Sequence, residues 1–220
     1  RREAHENMRL LAYGDSLTAG YCNFGTSFAP WAPTLVQGLR HVNAALTADH
    51  IGLSGWTTAQ MRDATDASTV QDVAGVRWSG YKRQLESGGP YAAVLIMAGT
   101  NDFADRTPAD KILDNLAALH GVAAAVGART VAMSVPESAA ARHVGWLGEL
   151  REQTNALLRE WAAANDVHFV DSARLVPWEE GSPLWEPDGL HMSCAGYEAF
   201  GARLAPLLVD FVGQLGPPSE

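Results

Sequence analysis

Five short apolar segments, each running directly into a polar turn, constrain this chain more than any other feature. Arg9 to Tyr13 leads into Gly14-Asp15-Ser16, Ala44 to Ile51 into Gly52-Leu53-Ser54-Gly55, and Ala92 to Ala98 into Gly99-Thr100-Asn101-Asp102. Thr130 to Val135 closes in Pro136-Glu137-Ser138, and Val167 to Val170 in Asp171-Ser172. Short, nearly continuous apolar runs are the mark of strands covered on both faces, as in parallel sheets. Helical patterns separate them: Trp31 to Leu39, Thr58 to Asp66, Pro108 to Val126 and Trp146 to Ala164, with a last one from Ala195 to Val212. In the Pro108 segment, Ile112, Leu113, Leu116, Leu119 and Val122 recur at three- and four-residue steps, while Asp110, Lys111 and Asp114 fall opposite, which predicts a helix lying on a sheet. Thr107 is placed to cap it, Pro108 to open it and Gly127 to stop it. Strand and helix alternate throughout, so the expected fold is a three-layer α/β/α sandwich on a five-stranded parallel sheet, with ligands bound beyond the carboxyl ends of the strands.

The 220 residues, 47% of them hydrophobic, suit one domain spanning 1–220, with 1–7 and 214–220 read as tails. A formal charge of −9 with no basic stripe excludes nucleic acid as an expected partner. The longest apolar runs are too short to cross a bilayer, and Arg1 to Asn7 lacks the apolar centre of a signal peptide. The compartment stays open between cytoplasmic and secreted with the leader already removed, and so does the oligomeric state. Gln71 to Gly89 reads as helical in part, with Trp78, Tyr81 and Leu85 at helical spacing; its aromatics are read as core, with a pocket wall as the alternative. Cys22 and Cys194 lie near the first and last loops of interest; the preferred reading is two unrelated small buried residues, with a pair as the alternative left open.

Attention therefore falls on the loops. A serine hydroxyl attacks a carbonyl only when a base takes its proton and donors hold the oxyanion that forms. Ser16 follows the first strand, so its hydroxyl and amide both face the ligand edge. Gly55 follows the second strand, where the absence of a side chain lets an amide approach a substrate oxygen, although Gly52 competes for this place. Asn101 follows the third and offers a side-chain amide; the plainer reading of Asn101 and Asp102 is an Asx-turn and cap before the next helix, and it is preferred for Asp102. Among seven histidines, His191 alone sits beside a carboxylate in a polar loop near a strand end, in Asp188-Gly189-Leu190-His191. A three-residue offset lets Asp188 accept from one ring nitrogen while the other faces Ser16. Asp15 is expected to fix its turn rather than move protons, and His168 to be structural.

Four segments, Gly14-Asp15-Ser16-Leu17, Ser54-Gly55-Trp56-Thr57, Gly99-Thr100-Asn101-Asp102 and Asp188-Gly189-Leu190-His191, occur in the order of the sequence blocks of the SGNH/GDSL hydrolase family, which this chain resembles over nearly its whole length. The resemblance implies a flavodoxin-like SGNH hydrolase fold and a serine esterase or lipase-like activity on carboxylic esters. It also implies Ser16 as nucleophile with Asp188 and His191 as partners, and an oxyanion hole made of the Ser16 amide, the Gly55 amide and the Asn101 side chain. The Gly-x-Ser-x-Gly elbow of the α/β-hydrolases is absent.

Aromatic and apolar residues flank both ends of this site, Tyr21, Phe24, Phe28 and Trp31 after the serine and Trp178, Leu184 and Trp185 before the Asp-His pair. Such walls suit acyl or aryl groups. The expected substrate is a small-molecule ester with a short acyl, aryl or acetylated-carbohydrate moiety, hydrolysed through an acyl-enzyme; Glu179, Glu180 and Glu186 near the mouth disfavour anions. No cofactor or metal is expected. The same residues admit acyltransferase or thioesterase chemistry, and a catalytically silent carbohydrate- or acyl-binding module is the alternative from another class.

Overall fold

The computed structural model describes residues 8–215. Five parallel strands, β1 (Arg9–Gly14), β2 (Thr47–Gly52), β3 (Ala93–Met97), β4 (Arg129–Met133) and β5 (His168–Val170), lie in the order β2-β1-β3-β4-β5. Successive side chains of a strand point to opposite faces, and the core divides accordingly. Leu10, Ala12, Leu95, Met97, Val131 and Met133 face one apolar cluster; Leu11, Tyr13, Val94, Ile96 and Ala132 face another. Helices α2 (Ala32–Leu39) and α8 (Cys194–Leu204) cover the first face through Trp31, Leu35, Leu39, Tyr197 and Phe200. On the second lie α3 (Thr58–Asp63), α4 (Tyr81–Gly88), α5 (Ala109–Ala125) and α7 (Gly145–Ala164), through Met61, Leu85, Ile112, Leu116 and Leu158. Each such fully buried aliphatic side chain contributes roughly 1.5–3 kcal/mol. This is the three-layer sandwich that the alternation predicts.

The chain turns one way from β1 to β2 and then crosses to the other side of β1 for β3. That reversal opens a crevice at the carboxyl ends of β1, β2 and β3. The four-residue helix α1 (Ser16–Ala19) starts in it directly after β1. Gly14 is obligatory at this junction, because a Cβ there would collide with the Met97 carbonyl of β3 and with Thr18.

Several boundaries differ from the sequence reading. β2 begins at Thr47, because Asn43 instead closes a turn by accepting from the Ala45 N–H at 2.8 Å. α3 stops at Asp63, and α5 begins at Ala109 with Pro108, still extended, in the capping position assigned to Thr107. The final helix breaks in three: α8, a tight turn at Ala205–Leu208 and α9 (Val209–Gly213), as expected where Pro206 brings no N–H to the ladder. Trp78 is not on a helix with Tyr81 and Leu85. It pairs in a two-stranded ribbon, Val70–Gln71 with Arg77–Trp78, whose turn is held by the buried Asp72 carboxylate accepting from the Val76 N–H at 2.8 Å. Trp78 is half-buried, while Tyr81 and Leu85 are core. A second ribbon pairs Tyr21–Cys22 with Ser27–Phe28. The short α6 (Ala139–His143) precedes α7. Residues 1–7 and 216–220, read as tails, lie outside the described residues; Gln214 caps the end of α9, and Leu215 just after it is buried.

Candidate active site

Asp15 closes β1 and caps α1, its Oδ1 accepting from the Leu17 N–H at 3.0 Å. The side chain is wholly buried, and burial pushes its carboxyl up to about 6 against the lowering effect of the Leu17 hydrogen bond. Its role is the turn-fixing one expected. Ser16, the first residue of α1, is also buried, and helix geometry leaves its amide without an intrahelical acceptor.

The far end of the chain brings an aspartate and a histidine. Asp188 Oδ1 accepts from the backbone N–H groups of Leu190 and His191 at 2.9 and 3.0 Å, and Oδ2 lies 2.8 Å from His191 Nδ1. Desolvation raises the Asp188 carboxyl, but these hydrogen bonds outweigh it and hold it below the usual carboxylate range. An ionised carboxylate only accepts, so the Nδ1 proton belongs between the two residues. Nε2 is left facing the Ser16 hydroxyl at 2.9 Å, where it accepts the proton. Carboxylate, imidazole and hydroxyl thus stand in one hydrogen-bonded series.

A covalent tie binds the two segments that carry this series. Cys22 and Cys194 form a disulfide with Cα atoms 5.6 Å apart, correcting the expectation of two unrelated residues. It joins the ribbon after α1 to the first residue of α8, three positions beyond His191. The same ribbon lays Tyr21 against the imidazole, ring centroids 4.4 Å apart. Glu186 also belongs here: it is buried, and its Oε1 accepts from the Asn23 N–H at 3.1 Å, so it is a strut as well as a wall of the cavity it shares with Glu179 and Glu180. Glu179 and Glu180 remain exposed, on a cavity of about 430 Å³ that Asp188 also lines.

The loop after β2 is fixed at several points. Leu53 N–H donates to Gly14, Ser54 N–H to Asp72 Oδ2 at 3.1 Å, and Thr58 N–H and hydroxyl to the buried Asp102 at 2.9 and 2.6 Å. Asp102 therefore does not cap the turn that follows it; it caps α3, 44 residues earlier, a correction that only tertiary packing makes visible. Burial raises its carboxyl while the Thr58 hydrogen bonds pull it down. Gly55 adopts φ +78°, a backbone conformation that side chains resist, whereas Gly52 ends β2 against Ala19. Asn101 Nδ2 donates to the Trp56 carbonyl at 2.9 Å, which leaves its second amide hydrogen for another acceptor. Among the described residues, neither the Ser16 nor the Gly55 N–H has a protein acceptor. Three donors thus rim the ends of the adjacent strands β1, β2 and β3.

Sequence reasoning missed Thr58, Asp72 and the Trp56 carbonyl as members of this site. One signal was present: Thr57-Thr58-Ala59-Gln60 is a capping box, and Thr57 and Gln60 exchange both bonds at the start of α3. Of the apolar flanks, Trp31 is buried in the core rather than a wall, while Trp178 and Trp185, also largely buried, line the cavity beside Asp188, Trp185 donating to the Pro177 carbonyl at 3.0 Å. Phe24 and Phe28 are exposed.

A doubly wound parallel sheet with this polar series at its carboxyl edge defines the class, a three-layer α/β hydrolase. The chain belongs to the GDSL-like Lipase/Acylhydrolase family, whose model matches residues 12–199, and it is a carboxylic ester hydrolase. Similar solved structures include the lipase/acylhydrolase from Enterococcus faecalis, with 22% identity over 97% of this chain and 99% of that one and a TM-score of 0.64. A carbohydrate acetylesterase family member from Sinorhizobium meliloti shares 22% over 94% and 99%, with a TM-score of 0.68. The inhibitor-bound aryl esterase of M. smegmatis shares 21% over 92% and 99%, with a TM-score of 0.69. At these identities the likeness is one of fold. No curated protein matches the chain. Among the described residues, no helix is long and apolar enough to cross a membrane.

Proposed function

We propose that Ser16 is the nucleophile, His191 the general base and Asp188 its orienting partner in a double displacement on carboxylic esters. The observation that carries this reading is the continuous series Asp188–His191–Ser16, at 2.8 and 2.9 Å. Ser16 Oγ attacks the ester carbonyl as His191 Nε2 takes its proton; the imidazolium then returns that proton to the leaving alcohol. Water, deprotonated by the same nitrogen, releases the acid and restores the hydroxyl. The oxyanion of each tetrahedral intermediate is received by the Ser16 and Gly55 amides and the Asn101 side chain, which need no reorganisation because Trp56 and Asp102 already fix their loops.

The substrate is a small ester with a short acyl, aryl or acetylated-carbohydrate group. The aromatic ribbon carrying Tyr21 and Phe28 supports this, as do the solved relatives described as a carbohydrate acetylesterase and an aryl esterase. The exposed Glu179 and Glu180 weigh against anionic esters. Ser16→Ala is the direct test: turnover of p-nitrophenyl acetate falls to background and fluorophosphonate labelling disappears, while the thermal transition stays within a few degrees. Activity retained by this variant sinks the assignment.

A further inference from the structure

A second cavity, about 220 Å³ in volume, is walled by segments that adjoin the proposed catalytic residues. It is lined by Ala19, Phe28, His50, Gly52, Val76 and Trp78 and is almost wholly apolar. The one titratable side chain among them, His50, is held neutral because burial lowers its basicity more than neighbouring Asp49 raises it. A charged ligand has nothing to pair with there.

Three of its walls lead back to the proposed machinery. Ala19 ends α1, the helix that Ser16 begins, and at about 1.5 Å rise per residue the two stand only about 4.5 Å apart along the axis. Phe28 is directly opposite Tyr21 in the ribbon, their rings 6.0 Å apart edge to face, and Tyr21 in turn packs on His191 at 4.4 Å. Gly52 ends β2, three residues before Gly55. Ala19, Phe28 and Gly52, which adjoin the nucleophile, the Tyr21 contact to the base and the oxyanion loop in turn, line the same apolar recess. The outer side is the Val70–Trp78 ribbon, anchored to the oxyanion loop through Asp72, which binds both Ser54 and Val76.

We propose that this cavity receives an apolar group of the ester, a chain or ring of about six carbons, and so sets the enzyme's preference for substrate length. The proposal rests on the Ser16 esterase reading. An apolar protein cavity of about 150 Å³ takes up a benzene ring, so the space here suffices for a hexyl or phenyl group. Each methylene that enters such a site is worth about 0.8 kcal/mol, a gain of roughly three- to fourfold in kcat/KM.

Two ester series test the proposal and tell the acyl side from the alcohol side. In p-nitrophenyl esters from acetate to decanoate the acyl group lengthens; in acetates of alcohols from ethanol to octanol, the leaving group does. The expected result is that kcat/KM rises at least tenfold to about six carbons in one series and then levels or falls. Val76→Trp, on the half-buried ribbon and filling the cavity, is expected to cut the hexyl-to-acetyl ratio by tenfold or more, with folding checked by circular dichroism. A flat profile in both series overturns the proposal, including the case in which acetylated sugars outrank every simple ester. A length preference that survives unchanged in folded Val76→Trp also overturns it. Absence of turnover with all esters, together with no fluorophosphonate labelling, removes the esterase reading and the cavity's role with it; turnover without length dependence removes the cavity's role alone.

Discussion

At the scale of single residues, Asp188 carries two duties that one substitution separates. Its Oδ1 holds the loop through the Leu190 and His191 amides, and its Oδ2 faces His191 Nδ1. Asn at this position keeps an acceptor for the amides but turns an N–H toward Nδ1, so the ring settles in the wrong tautomer. Asp188→Asn is expected to lower kcat by on the order of 10³–10⁴, the scale seen when a triad carboxylate is so replaced, with the melting temperature nearly unchanged. A drop of less than tenfold in steady-state kinetics removes Asp188 from the proposed role. His120 shows the opposite economy, a titratable group with no part in the site. It is buried against Trp161 with no partner on either ring nitrogen, and burial lowers its pKa to about 3. The folded value lies below the unfolded value of about 6.5, so the neutral ring's full contribution holds above pH 6.5 and is lost as pH falls toward 3. His120→Leu is expected to flatten the acid limb of stability between pH 6.5 and 4, a difference of a few kcal/mol at most. Denaturation curves at four pH values measure it, and parallel limbs in both proteins contradict it. Asp15, raised to about 6, has the reverse sign: its buried charge costs stability above pH 6, and the cost fades as pH falls below that value.

At the scale of elements, what the sequence revealed depended on length. β1 and β3 were legible because residues such as Leu10–Ala12 and Val94–Ile96 are buried on both faces and leave an unbroken apolar run. α5 was legible because Ile112, Leu116 and Leu119 repeat at helical spacing over 17 residues. The two ribbons were not, since a strand of two residues has no period, and Trp78 fell by chance into helical register with Tyr81. Asp102 was misread for a related reason: its local pattern fits an Asx-turn, and its actual partner Thr58 is remote in sequence. The Cys22–Cys194 bond was equally hidden, because 172 residues separate the partners and only the folded sheet brings them together. That bond fixes the ribbon to α8. Replacing both cysteines by serine is expected to cost roughly 2–5 kcal/mol of stability, and to raise KM through a looser Tyr21 against His191. Urea unfolding and steady-state kinetics on the double variant report both; an unchanged midpoint denies the bond a stabilising part.

At the scale of the whole molecule, the site exists because of the strand order. β1 lies between β2 and β3, so the loops bearing Ser16, Gly55 and Asn101 emerge side by side although 84 residues of chain lie between the first and last of them. Loop chemistry was legible in the sequence because those loops each followed a recognisable strand. The supports between loops, Asn101 to Trp56 and Asp72 to Ser54, were not, because they join segments that only the sheet makes neighbours. His191 reaches this edge from the opposite end of the chain, and the disulfide closes a ring that contains β2 to β5, with Ser16 on the stem before it and His191 just inside it, three residues short of Cys194. A single peptide cut inside that ring, for instance at the exposed tip near Val73, would leave Ser16 and His191 on different fragments that are still one molecule. A nicked chain of this kind keeps its two halves of the site together until a reductant parts them.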